Sequence, residues 1–181
     1  MKKRGLIYVY GLLLLIMGAA GCSKDDNDDE NVVQEAATTE EVKTFFEEDF
    51  STDYSDIYQK SGFFTADEYM YLSSGVIVRL INNRKEFEQA YNGKYELPDI
   101  DFSQNTLIVG MVNSLNSGET LGDVRLLNTG GDYNLQVFVN KNVNPERTYS
   151  LAITPLFFWK IYPKFTTSNM KATRIVKEVT Y

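Results

Sequence analysis

The chain contains no histidine. That removes the commonest general base, the commonest protein metal ligand and every catalytic triad built on imidazole. It contains one cysteine, Cys22, so no disulfide can form within the chain and the core must hold without one. After residue 40 no Pro-rich or Ser-rich stretch divides the sequence, which leaves a single domain of ordinary size. No Gly-rich phosphate loop of either standard form is present. Positive charge is also in short supply: the net charge is −7. A nucleic-acid surface would need a basic face, and a polybasic membrane patch is equally absent.

What the first residues do contain is an ordered pattern. Lys2-Lys3-Arg4 form a positive n-region, Gly5 to Met17 an apolar run of 13 residues, and Gly18-Ala19-Ala20-Gly21 a small-residue stretch before Cys22. A spanning helix needs about 20 apolar residues, so the run is too short to cross a bilayer. Charge, grease, small residues and a cleavage point in that order mark an export signal over residues 1–21. Ala19-Ala20-Gly21-Cys22 resembles a bacterial lipobox. That resemblance implies a diacylglyceryl group on the Cys22 thiol and cleavage of the Gly21–Cys22 bond. A lipid-blocked thiol is not a nucleophile. Two or three acyl chains hold far more firmly than one, at about 0.8 kcal/mol per buried methylene.

Ser23-Lys24-Asp25-Asp26-Asn27-Asp28-Asp29-Glu30 follows. Lys24, Asp25 and Asp26 directly after the cysteine resemble the export signal of Bacteroidota surface lipoproteins. The resemblance implies a place on the outer face of the outer membrane, with the bilayer as a partner through the anchor. An EF-hand loop counted from Asp25 fails, because Glu30 and Ala36 stand where Gly and Glu are required. Residues 22–39 read instead as a lipidated acidic tether, apolar-poor and unable to bury itself. The stretch 23–37 could reach about 50 Å at roughly 3.3 Å per residue. Charge concentrates there: residues 23–48 carry −8, and residues 49–181 only −2.

Residues 40–181 read as one α+β domain, mainly antiparallel β-sheet with one or two short helices. Thr38 and Glu41 match a capping box ahead of Val42, Phe45, Phe46 and Phe50 at helical spacing. Asn83 can cap a second helix, with Glu86 three residues on and Gly93 ending it in the left-handed conformation. Val76–Ile81 is β-branched and apolar, and Thr106–Val112 is apolar on both faces, as in a central strand. Leu121–Leu127 and Asn134–Val139 flank Asn128-Thr129-Gly130-Gly131-Asp132, a hairpin turn. Tyr149, Leu151 and Ile153 alternate with polar or small residues like a half-buried strand, and Ala172–Tyr181 reads as a last one. Consecutive strands with short turns favour antiparallel pairing.

The order of strand, short helix, Asp101-Phe102-Ser103 and the strand from Thr106 to Val112 resembles the C-terminal domain of the protease-complex subunit PrcB. The later hairpin and the strand opened by Thr154-Pro155 extend the likeness over residues 76–165. The family's aromatic turn is replaced here by Asn116-Ser117-Gly118-Glu119-Thr120-Leu121. The resemblance implies a non-catalytic, partner-binding domain.

Two patterns could carry chemistry. Asp99 and Asp101 share one face of an extended segment and could act as an acid–base pair, although Asp after Pro98 is also what a turn favours. The stretch Leu156-Phe157-Phe158-Trp159-Lys160-Ile161-Tyr162 is the densest aromatic run. As a strand it sets Phe157, Trp159 and Ile161 on one face, and Leu156, Phe158 and Tyr162 on the other with Lys160. Phe157, Trp159 and Tyr162 are thus candidate binding residues, since Trp and Tyr are typical interface anchors; the alternative is a strand buried on both faces. The expectation is a surface lipoprotein whose domain binds another protein without catalysis or cofactor. A glycan-binding accessory lipoprotein is the second reading, and a carboxylate hydrolase the third.

Overall fold

The computed structural model describes residues 31–50, 61–65, 67–68, 75–151, 153–167 and 170–181. The expected signal sequence 1–21, the expected lipidation site Cys22 and the expected export residues Lys24, Asp25 and Asp26 lie outside these residues. Within them the chain runs α1 (Glu40–Asp49), β1 (Val76–Ile81), α2 (Arg84–Ala90), β2 (Asn105–Ser114), β3 (Glu119–Thr129), β4 (Asp132–Asn142), β5 (Thr154–Pro163) and β6 (Met170–Val179). The strands form two three-stranded sheets, ordered β1-β2-β5 and β3-β4-β6. This is the expected α+β fold, built mainly of antiparallel sheet.

Three layers result. One face of the β1-β2-β5 sheet carries Leu107, Val109, Met111 and Ile161, which pack under α1 and α2 with Phe45, Phe46 and Phe87. The opposite face carries Ile108, Val112, Phe158 and Tyr162, which meet Leu126, Leu135, Val137 and Val139 of the second sheet. Strand β2 is therefore covered on both faces, and each of its residues from Thr106 to Ser114 is buried. A strand without a solvent face has no use for alternation, which is why it reads as a continuous apolar run.

Gly110 lies opposite Phe158 in the β2–β5 ladder, and the ring fills the place of the missing side chain. A Cβ at Gly110 would fall 2.0 Å from that ring. Gly110→Ala must push Phe158 into the inter-sheet core, and overpacking of this kind costs about 1–3 kcal/mol. Urea unfolding measures the loss; a midpoint equal to that of the parent chain would mean the ring does not cover the glycine.

Local signals set the helix starts. Thr39, not Thr38, caps α1, accepting the Val42 amide at 3.3 Å. The capping box between Thr38 and Glu41 is not formed, because the helix starts one residue later than that pattern requires. Asn83 caps α2 as expected, accepting from Glu86 N–H at 2.9 Å while Glu86 takes the Asn82 amide at 2.7 Å. Helix α2 ends at Tyr91 in an extended conformation. Gly93 does not take the left-handed cap, since the positive-φ glycines among the described residues are Gly130 and Gly131. Those two, at φ 63° and 98°, form the two-residue β3–β4 turn, a geometry that costs other residues a steric clash.

Three further expectations are corrected. Residues 149–151 and 153 are not in a strand: β2 turns away after Ser114, paired with Thr154, so they have no ladder to join. Leu151 is 93% exposed there. Strand β6 pairs with β4 in parallel, because its chain returns from the far side of the first sheet rather than through a hairpin. Finally, residues 31–36 are not free tether. They lie as a strap between the outer edges of β5 and β3: Val33 donates to Leu126 O at 2.8 Å, Ala36 to Ile161 O at 2.8 Å, and Asn31 O accepts from Asn128 at 2.9 Å. Two β-branched valines supply β-propensity and an apolar contact, and the acidic residues around them do not prevent pairing.

Candidate functional site

The strap leaves the slot at Ala36 to enter α1. Beyond that point, α1, β5 and β3 enclose a groove of about 370 Å³. Its walls are Phe46 and Glu47 of α1, Phe50 capping the end of that helix, the β5 run Phe157–Lys160, and Leu121–Val124 of β3. The β3 wall is a bulge: Gly122 and Asp123 stand where β4 has Phe138 alone between Val137 and Val139. Bulges bend a strand and re-aim its side chains, and they recur beside functional sites. Here Leu121 stays packed against the inter-sheet core while it and Asp123 also line the groove.

Alternation along β5 decides what reaches it. Phe157 and Trp159 point to the helix side, both half-buried. The Trp159 ring stacks on Phe46 at 4.6 Å and 12°, and Phe157 stacks on Phe50 at 5.2 Å and 26°. Offset stacking of this sort contributes about 0.5–1.5 kcal/mol per pair beyond area burial. Tyr162, the third candidate, points the other way. It is 1% exposed in the inter-sheet core, so it cannot anchor a partner at the surface. Its burial, with Glu35 and Asp123 nearby, pushes the hydroxyl well above the usual tyrosine range. The three candidate rings therefore divide into two that line a groove and one that, with Phe158, holds the sheets together.

Helix α1 is pinned in place by its own last residue. Asp49 is buried and accepts from Ser61 Oγ at 2.7 Å, Gly62 N at 3.1 Å and Tyr91 Oη at 3.0 Å. A carboxyl group at a helix C-terminus opposes the helix dipole, and these three donors compensate. Burial, and the Asp49 carboxyl beside it, push the Tyr91 hydroxyl above its ordinary value. Nothing local in the sequence marks Asp49, because its partners lie 12, 13 and 42 residues away.

The polar groups around the groove are mostly engaged. Asp123 accepts from Arg125 Nε at 2.6 Å and from the Val124 amide at 2.8 Å, and the Arg125 bond holds its carboxyl below the usual range. Lys160 pairs with Glu35 of the strap. Arg79, on the wall of a second cleft beside α2, is held by Glu68 at 2.8 Å and Phe63 O at 2.8 Å. The Asp99–Asp101 pair is not assembled as an acid–base device. Asp101 closes the turn before β2, accepting from the Ser103 amide and hydroxyl at 3.0 and 2.5 Å. Those bonds lower its pKa, the opposite of what a general acid needs. Among the described residues no three His, Cys, Asp or Glu side chains gather as metal ligands. Comparison with known protein families, with curated proteins and with solved structures finds no match.

Proposed function

We propose that this is a surface lipoprotein, anchored through Cys22 at the bacterial outer membrane, whose domain binds another protein without catalysis. The observation behind the binding role is the α1–β5–β3 groove. It presents ring edges and aliphatic groups in a concave wall; of the charged groups that line it, Asp123 and Lys160 are paired within the chain and Glu47 stands exposed on α1. An aliphatic or aromatic side chain of a partner fits such a wall, as interface anchors do. The resemblance of residues 76–165 to the PrcB C-terminal domain implies the same kind of role.

A glycan-binding accessory protein is the second reading, favoured by the concavity and by Trp159. Sugar stacking uses an open aromatic face, and Phe46 already covers one face of Trp159. Protein binding is therefore preferred. Trp159 is the sole tryptophan, so its fluorescence reports on the groove directly. Photo-crosslinking from position 121 on intact cells should yield a protein adduct, and the purified adduct should show Trp159 shielded from acrylamide. No protein adduct, together with Trp159 shielding by soluble oligosaccharides, would transfer the assignment to the glycan reading.

A further inference from the structure

We propose that the slot between β5 and β3 is an acceptor site for an extended strand, closed in this chain by the strap 31–36. In place of the strap it would take an extended segment of a partner protein. The segment would carry a β-branched residue in the position of Val33 and an acidic one in the position of Glu35, facing Lys160. The proposal rests on the reading of the domain as a protein binder and concerns the slot beside the groove, with Lys160 on the wall of both.

Both walls of the slot are sheet edges, since β5 ends one sheet and β3 the other. An edge strand offers main-chain donors and acceptors to any extended chain that reaches it. Ile161 O and Leu126 O are taken by the strap, which shows the geometry accepting a strand. The hold is shallow. None of residues 31–37 is fully buried, and three main-chain bonds, the side chains of Val33 and Ala36, and the Glu35–Lys160 pair account for it. A segment with few buried contacts sits at the low end of local stability. Strap release would leave the aromatic core under α1 and the β2 ladder in place. Strand addition draws affinity from main-chain bonds and specificity from alternate side-chain pockets; here Val33 already occupies one such pocket and Lys160 sets the charge beside it.

The test uses the full chain and a labelled synthetic peptide of residues 29–38, read by fluorescence anisotropy. Lys160→Glu faces Glu35 with a like charge and loosens the strap without touching the core. A peptide carrying Glu35→Lys should then bind the Lys160→Glu chain about fivefold or more tighter than it binds the parent, the scale of one restored ion pair. Amide exchange at Val33 and Ala36 should quicken in that variant while β2 amides stay protected. Val33→Asp, which removes the apolar anchor, should admit the unmodified peptide in the same way. Equal binding of the peptides to parent and variants overturns the proposal. So does loss of β2 protection on strap release, which would make the strap an integral strand. Sedimentation of the variants as dimers would give the slot to a second copy and overturn the foreign occupant. Failure here with the position 121 adduct intact removes the acceptor site alone; loss of the adduct with peptide binding intact removes the groove reading alone.

Discussion

Glu119→Gln should destabilise the domain by about 3–5 kcal/mol, the cost of leaving one member of a buried ion pair uncompensated. Arg174 Nη2 meets Glu119 Oε2 at 2.8 Å, with the two side chains only 11% and 4% exposed. Glu119 also accepts the Leu115 amide at 2.7 Å. Glutamine preserves the shape and an acceptor for Leu115 but removes the charge opposite Arg174. Against a total stability of about 5–15 kcal/mol for a domain of this kind, the loss is large. Replacing both residues by methionine should recover most of it, since a well-packed apolar pair is often as stable as a buried ionic one. Urea unfolding of Glu119→Met, Arg174→Met and the double variant reads the coupling. A single-variant loss below about 1 kcal/mol would place the pair with solvated surface bridges instead.

The pair also sets register. Strand β6 reads Met170-Lys171-Ala172-Thr173-Arg174-Ile175-Val176, with apolar residues on both faces and weak alternation. A slip of one residue would turn every side chain to the opposite face. It would bring Thr173 or Ile175 to Glu119, leaving the carboxyl group buried without a cation. The parallel β4–β6 ladder thus gains from one ion pair the specificity that its hydrophobic pattern lacks.

Phe46→Ala should cost about 3–5 kcal/mol, the range for emptying a buried phenylalanine site. Phe46 is fully buried and stacks on Trp159 at 4.6 Å and on Phe63 at 5.8 Å, with Phe45 edge-on at 4.9 Å. Its loss uncovers one face of Trp159, so tryptophan emission should shift to the red along with the fall in stability. Circular dichroism should show the fold retained in the absence of denaturant. Unchanged emission in a folded variant would mean that Phe46 does not wall the groove. Phe46→Leu should keep more stability than Phe46→Ala, because it leaves a smaller cavity.

Much of β5 was legible in its residues. Two-residue periodicity alone sorts Phe157, Trp159 and Ile161 from Leu156, Phe158 and Tyr162, and the fold follows that sorting. What covers each face was not legible, because Phe46 comes from a helix more than 100 residues earlier and Val137 from another sheet. The same limit explains Tyr162, whose type suggests an interface anchor while its position makes it core. Alternation misled at Tyr149, Leu151 and Ile153, since a strand needs a partner as well as a pattern. The strap was masked by averaging: over residues 23–37 the acidic composition outweighs Val32 and Val33, yet pairing is decided by the few residues that touch the edge. Asp49 and Arg174 draw their partners from distant parts of the chain, which no short-range pattern announces.

The strap has a geometrical consequence for the proposed anchoring. On the proposed anchoring through Cys22, residues 22–30 separate the lipid from the strap, and nine residues span at most about 30 Å. The strap begins at Asn31 beside Asn128, next to the Gly130–Gly131 turn. Strand β3, 11 residues long, then carries the chain's opposite pole roughly 35 Å further away. The exposed side chain of Leu151 belongs to that far pole, where Ser150 O accepts from Ser117 just before β3 begins. On the proposed anchoring, that geometry puts the Gly130–Gly131 turn nearer the lipid than the pole that carries Leu151.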